Sequence, residues 1–363
     1  RCGCYPGPKV FGRWMWAACY SVQSLLRKNR GDTLLIYVGL LGCSAVVAAF
    51  RQRLRRRHYA FLLFLLVWII LAFRGNTVGA DTQTYINGFL NMRYTTLGNI
   101  FAQDNIEYGY MLLEKLLYTI WAQPRFFLAV TSAIVAFCYG WFFYRHASRL
   151  YLAFLGYLAF GLFSFHLSGI RQSIAMAICL LAVDRIPKKK LLAFVLIVLL
   201  AMCFHRSAIL FLVAYPLGRM QICRRNQILI CASGLVCVVL IQPLMDLFGD
   251  MFERYDRYGI ESTGNGQIFF AVVLCITLAA EIYKRPILEN NPNAGLLLHL
   301  NYVNLFLWVA RLITRTVERP SFFFMPFTIL LMAEVVRAGS VDRRNHIVIY
   351  TVVACLLSVL YLY

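Results

Sequence analysis

Apolar residues dominate this chain in long runs, and short polar stretches separate one run from the next. Runs close to the ~20 residues that cross a bilayer hydrocarbon core predict membrane-spanning helices. Spans are expected near residues 33–50, 59–73, 125–144, 150–166, 169–184, 190–204, 206–219, 227–245, 267–283, 295–312, 320–337 and 345–362, twelve in all. The expected fold is therefore an all-α polytopic membrane protein.

The connections between runs alternate in character. Residues 51–58 read RQRLRRRH, 145–149 read RHASR, 185–190 read RIPKKK and 219–225 read RMQICRR. Lys284-Arg285 open the connection 284–294, and Arg343-Arg344 lie in 338–344. Every second connection is basic, which places all six on the cytoplasmic face. Lys9, Arg13, Arg27, Lys28 and Arg30 break this order unless residues 10–26 cross the membrane. An interfacial helix anchored by Trp14, Trp16 and Tyr20 is preferred there. Residues 1–32 then form an N-terminal interfacial segment, and 33–363 a single transmembrane domain.

The outer face receives residues 74–124, 167–168, 205, 246–266 and 313–319. Within the longest of these, Tyr110, Leu113, Leu117, Ile120 and Trp121 recur at helical spacing, with Glu114 and Lys115 interrupting. An amphipathic helix lying on the periplasmic surface is expected.

Composition narrows the classes. The 363 residues are 61% hydrophobic and only 14% charged, too apolar for a soluble domain. The net charge of +20 follows from the basic loops, and no basic soluble domain exists to carry nucleic-acid binding. Most of the twelve cysteines fall inside apolar runs, where they act as small apolar residues. Cys2 and Cys4 make a C-x-C pair, two ligands at most, and no H-E-x-x-H or Asp-rich metal motif occurs. Neither a metal nor another cofactor is expected.

A second set of polar residues sits at the outer ends of the runs. Arg74, Asp81 and Tyr85 lie in FRGNTVGADTQTY at 73–85, where the alternative for Asp81 is a helix cap. Glu107 opens EYGY and is either a second carboxylate or a cap of its own helix. Arg171 and Gln172 begin an apolar run, and an arginine at membrane depth calls for a partner, an anion or snorkelling to the interface. His205 sits in a hairpin, FHRSA, and titrates near neutrality in water. Arg311, Arg315 and Arg319 recur every four residues, so one helical face would carry all three, with Glu318 available to neutralise part of the cluster. Carboxylates, an imidazole and arginines on one face suit group transfer from a phosphorylated lipid. The arginines would stabilise a departing phosphate, and Asp81, Glu107 or His205 would deprotonate the attacking hydroxyl.

At these same residues the chain resembles the EpsG family, the Wzy-like polymerases of bacterial surface polysaccharide. The matching pieces are RGNTVGADTQTY at 74–85, IEYGYMLLEKL at 106–116, SGIRQSIAMAI at 168–178, CFHRSAILFL at 203–212 and RLITRTVERPSFFFMP at 311–326. Ala80 stands where Thr is expected and Tyr108 where Pro is common. The resemblance implies a multi-pass protein of the bacterial inner membrane, GT-C-like in fold. It implies joining of undecaprenyl-pyrophosphate-linked repeat units at the outer face, without metal or nucleotide sugar. Asp81, Glu107 and His205 would be catalytic; Arg74, Tyr85, Arg171, Gln172, Arg311, Arg315 and Arg319 would bind substrate. Membrane lipids, a flippase and a chain-length regulator are the implied partners. A transporter of lipid-linked or anionic sugars, an O-antigen ligase and a sugar acyltransferase are the rival readings. Transporters place charge near the midplane and show inverted repeats, which this sequence lacks.

Overall fold

A computed structural model describes residues 30–101, 107–243, 264–339 and 343–362. The expected interfacial helix with Trp14, Trp16 and Tyr20, the Cys2/Cys4 pair, the end of the 227–245 run and most of the outer connection 246–266 lie outside the described residues. Among the described residues every regular element is helical.

The first helices are α1 (Arg30–Ala49) and α2 (Arg56–Phe73). Three short helices follow on one end: α3 (Thr82–Asn91), α4 (Leu97–Phe101) and α5 (Tyr108–Ile120). α6 (Pro124–His146) packs along α2. Pro124 starts α6 at no cost in hydrogen bonds, because its missing N–H would have no partner in the first turn. Next come α7 (Leu150–Ala159), α8 (Leu162–Ser168), α9 (Ile170–Ala182) and α10 (Leu191–Met202). A 3₁₀ segment, Arg206–Val213, leads into α11 (Ala214–Arg219) and then α12 (Arg224–Val239). The last group is α13 (Gly264–Ile282), α14 (Lys284–Asn290), α15 (Ala294–Arg311), α16 (Glu318–Ser321), α17 (Met325–Ala338) and α18 (Arg343–Leu362).

Helix ends fall close to the expected runs, but several runs are not single helices. The 150–166 run breaks at Gly161, whose φ of +79° is open to glycine and strained for other residues, and α7 and α8 bend by 52°. The 206–219 run begins as a 3₁₀ helix. Pro216 has no N–H to give to the Leu212 carbonyl, so an α-helix begins afresh just before it. Pro286 breaks the bond to Ile282 in the same way, and α13 and α14 bend by 76°. The 320–337 run is split between α16 and α17, bent by 65° around Pro320 and Pro326.

α2 and α6 are each long and apolar enough to cross a bilayer alone, and the three bent pairs qualify when each is taken as one span. α10 and the apolar stretches Leu35–Ala49 and Ile347–Leu362 are shorter. The described residues are all-helical apart from their connections, consistent with a membrane protein. Most of the core is one large cluster running from Leu40 to Tyr361, in which Phe64 stacks on Phe143 and Phe143 meets Tyr157 edge to face.

The basic connections gather at one end. Arg56 donates from Nε to the Tyr144 carbonyl at 3.1 Å, joining 51–58 to 145–149. Asp184 accepts from Arg145 and His146 at 3.3 and 3.2 Å, which adds the start of 185–190. A cavity bordered by Ile186, Pro187, Arg219, Met220, Asn291 and Pro292 brings in 219–225 and 284–294. Asn291 donates to Glu334 at 2.8 Å, near the end of α17. These contacts bring the basic connections 51–58, 145–149, 185–190, 219–225 and 284–294 to one end of the bundle.

The amphipathic helix forms as α5, with a different inner face from the one expected. Tyr110, Met111, Glu114 and Leu117 are buried, whereas Ile120 and Trp121 are exposed. Glu114 is therefore part of the inward face rather than an interruption of it.

Candidate functional site

At the opposite end from the basic loops, two close backbone approaches assemble the site. The first joins the 74–82 turn to the junction of α8 and α9. Gly79 adopts φ +88°, and a Cβ there would overlap the Leu167 carbonyl. The Ala80 N–H donates to Ser168 Oγ at 3.1 Å, and Thr82 Oγ1 donates to the carbonyls of Val78 and Leu167 at 2.7 and 3.1 Å. The second joins α5 to the α10 hairpin. The Tyr110 N–H donates to the Cys203 carbonyl at 3.2 Å. A Cβ at Gly109 would lie 2.7 Å from both Cys203 Cβ and its carbonyl oxygen, so only glycine permits this contact.

These contacts bring Glu107, at the N-cap of α5, onto Arg171 in the first turn of α9. Arg171 Nη1 lies 2.6 Å from Glu107 Oε2, and the side chains are only 19% and 10% exposed. The Arg206 N–H adds a bond to Glu107 Oε1 at 3.3 Å. Burial pushes the Glu107 carboxyl up, but Arg171, His205 and the Arg206 amide outweigh it and hold it below the usual value. The Arg171 guanidinium also sits 6.0 Å from the centre of the Tyr110 ring, a cation–π contact. Tyr85 meets the Tyr110 ring edge to face at 6.0 Å and lies within electrostatic reach of Arg171, Asp81 and Arg319.

His205 is buried, and burial first, then the positive charges of Arg171 and Arg319, pull it down to about 4 against the opposing effect of Glu107. It is neutral at pH 7, so Arg171 and Arg206 carry the lowering of Glu107 there. The Ser207 N–H donates to His205 Nδ1 at 3.3 Å, and the Ser207 hydroxyl lies 2.6 Å from the same atom. Nδ1 is therefore the acceptor, and the proton of the neutral ring is assigned to Nε2.

Gln172 Nε2 donates to the Arg319 carbonyl at 2.8 Å, while its Oε1 is buried without a partner. This bond ties α9 to α16 and places Arg319 beside the Glu107–Arg171 pair. Glu114 lies beyond Tyr110 on the same helix face, and burial raises its carboxyl to about 7 against the opposing effects of Tyr110 and Arg171. Apolar spacing alone could not single it out; its position one turn after Tyr110 and two after Glu107 could.

Two expected binding residues, Arg74 and Arg311, are engaged elsewhere. Arg74 is 1% exposed and donates to the Leu71 carbonyl and to Thr82 Oγ1 at 3.3 Å, while its own carbonyl accepts from Arg125. It clamps the end of α2 to the 74–82 turn, behind Tyr85 rather than open to a ligand. The arginines 311, 315 and 319 do not share one helical face. α15 ends at Arg311, Thr314 is extended, and a 3₁₀ turn starts at Arg315. Arg311 Nε instead donates to Glu318 Oε2 at 2.8 Å across that break, which is the neutralising role the sequence left open for Glu318. Arg315 is exposed. Among the described residues no group of three or more His, Cys, Asp or Glu side chains could hold a metal ion.

Apolar helices closing over a charged, half-buried cluster at the end opposite the basic loops point to a membrane protein with a polar site there. A family comparison matches the EpsG family over residues 57–363, and the chain belongs to that family, whose members are Wzy-like polymerases. Family membership makes it a glycosyltransferase-like polymerase of polysaccharide biosynthesis. Comparisons with curated proteins and with solved structures gave no match.

Proposed function

We propose that this protein extends a glycan at the outer face of the bacterial inner membrane, using undecaprenyl-pyrophosphate-linked repeat units, in a GT-C-like arrangement of about twelve spans. The observation that carries this reading is the Glu107–Arg171 pair at 2.6 Å, set against Tyr85, His205 and Arg319 at one end of an apolar bundle.

In this reading the acceptor hydroxyl oxygen bonds to the anomeric carbon of the donor sugar. The bond from that carbon to the pyrophosphate oxygen breaks, and the pyrophosphate leaves with the electron pair. Direct displacement inverts the anomeric centre. Arg171 and Arg319 stabilise the leaving charge, with Arg315 at the entrance; such preorganised donors are worth about 2.7–4 kcal/mol each in other enzymes. Glu107 is a positioning residue, because its lowered carboxyl and its bond to Arg171 make it a weak base. His205 presents Nε2–H and serves as a hydrogen-bond donor. The proton of the acceptor hydroxyl then goes to Asp81, the remaining carboxylate of the expected set, which neighbours Tyr85.

The test is polymerisation by purified protein in nanodiscs with a synthetic undecaprenyl-pyrophosphate oligosaccharide and excess chelator. A ladder of lipid-linked products that disappears in Arg171→Ala and Asp81→Asn is expected. Binding of the lipid-linked sugar without product at any length would replace this reading with transport.

A further inference from the structure

The opposite end of the bundle holds a second polar feature that the polymerase reading does not use. A cavity of about 190 Å³ opens between the start of α2, the 147–150 turn and α18. Arg51, Arg56 and Arg149 line it together with Tyr59, Ser148 and Tyr350, and among the described lining residues there is no carboxylate. The volume is far above the roughly 10–15 Å³ that one water requires.

Basic residues in cytoplasmic loops ordinarily mark topology, and their heads stay in water. Three atoms here do not fit that reading. Tyr59 is 3% exposed and its hydroxyl has no hydrogen-bond partner. Ser148 Oγ and Arg149 Nε are also buried without partners. Buried donors are nearly always satisfied, so three orphans around one cavity imply a missing acceptor. Arg56 is held in place by the Tyr144 and Ala147 carbonyls, which fixes one wall. Glu334, the acidic neighbour on α17, is already engaged by Arg337 at 2.6 Å and Asn291 at 2.8 Å. Among the described lining residues none is acidic, so the arginines meet no carboxylate inside the cavity.

We infer that this cavity binds a phosphate group presented at the basic face of the membrane, with Arg51 and Arg149 supplying charge and Tyr59 and Ser148 hydroxyls completing the oxygen shell. Arginine matches phosphate oxygens in a fork, and a tyrosine hydroxyl can donate to one of them. The headgroup of an anionic phospholipid and a soluble phosphate ester share this chemistry. The site lies at the other end of the bundle from Arg171 and stands whether or not the catalytic reading holds.

The experiment uses the full chain in nanodiscs of phosphatidylglycerol or phosphatidylcholine, with bound lipid counted by native mass spectrometry and melting followed in parallel. Wild type should retain phosphatidylglycerol, and Arg51→Gln/Arg149→Gln should lose about tenfold or more of that preference, as expected for charge-assisted bonds. Tyr59→Phe should weaken retention about fivefold, the effect of one hydrogen bond, yet melt no lower than wild type in phosphatidylcholine. Protection by glycerol phosphate added to phosphatidylcholine discs would support a soluble ester as the ligand; its absence beside phosphatidylglycerol retention would support a lipid headgroup. Equal phosphatidylglycerol retention by wild type and the double variant would overturn the site. So would a Tyr59→Phe variant that melts equally low in both lipids, which would mark the hydroxyl as structural.

Discussion

Arg171 Nη1 and Glu107 Oε2 lie 2.6 Å apart, and this one bond joins the first turn of α9 to the N-cap of α5. The sheath of short helices over residues 74–120 is thereby fixed to the bundle at the point where the charged cluster sits. Because each side chain retains little exposure, the pair is held by geometry as well as by charge.

Removing one partner should strand the other. Arg171→Gln and Glu107→Gln are each expected to destabilise by about 3 kcal/mol, the low end for breaking a buried ion pair. The double variant should cost less than the sum of the singles. Thermal unfolding of all four proteins in one detergent reads the coupling; strict additivity would show that the pair contributes nothing as a pair.

Two carboxyls should give stability opposite dependences on pH. Glu107 is lowered in the fold, so its contribution is present above the ordinary carboxylate range and is lost as pH falls through the lowered value. Glu114 is raised from 4.5 to about 7, so the native state holds an extra proton between those values and stability declines as pH rises through them. Glu114→Gln should flatten the profile between about pH 4.5 and 7, while Glu107→Gln should flatten it only on the acid side. An unchanged profile in Glu114→Gln would contradict the buried, proton-holding role.

Gly79 and Gly39 offer a matched contrast. A side chain at Gly79 meets the Leu167 carbonyl at φ +88°, whereas a Cβ at Gly39, inside α1, meets nothing within 4 Å. Gly79→Ala should cost at least about 1–2 kcal/mol from left-handed backbone alone, and more from the clash. Gly39→Ala should stabilise by about 0.5–1 kcal/mol through helix propensity. Melting temperatures moving in opposite directions would bear this out; a neutral Gly79→Ala would mean that the 74–82 turn does not dock on α8.

Ser207 sets the tautomer of His205. Ser207→Ala should lower polymerisation about fivefold, the effect of one hydrogen bond, and shift the pH at which His205 titrates. Histidine chemical shifts across pH 3–8, taken with the rate, separate this from a folding defect. No change in either would remove His205 from the proposed donor role.

Much of this arrangement is legible in the residues themselves. Run lengths place α2, α6, α9 and α15 to within a helical turn, because a long apolar segment with charged ends has few other solutions. The grouping of Glu107, Arg171 and His205 follows from the alternation of basic loops, which sends all three to one end. Other features are invisible to pattern. Leu312, Ile313 and Thr314 contain neither Gly nor Pro, so nothing announces that the helix ends there, and the four-residue spacing of Arg311, Arg315 and Arg319 suggests a face that does not form. Arg74 has the charge of a ligand-binding residue, but its burial depends on Thr82 and Ser132, the latter from a distant helix. Glu114 interrupts an apolar count while sitting on the inner face that the count was meant to find.

The shortness of α10 bears on the lipid around the protein. Leu191–Met202 spans 12 residues, about 18 Å at the helical rise, yet its two ends carry Lys190 and the hairpin of His205. Leu192, Leu196 and Leu200 project from it fully enough to face acyl chains. Read as a span, this helix is shorter than a hydrocarbon layer of about 30 Å, and the mismatch predicts a locally thinned bilayer on this flank. In the proposed reading, a lipid-linked pyrophosphate in the outer leaflet would then ride lower as it nears the protein, toward the depth of Arg171. Polymer yield in nanodiscs of graded acyl-chain length should accordingly peak in thin bilayers, and a flat response would mean that α10 is matched by other means.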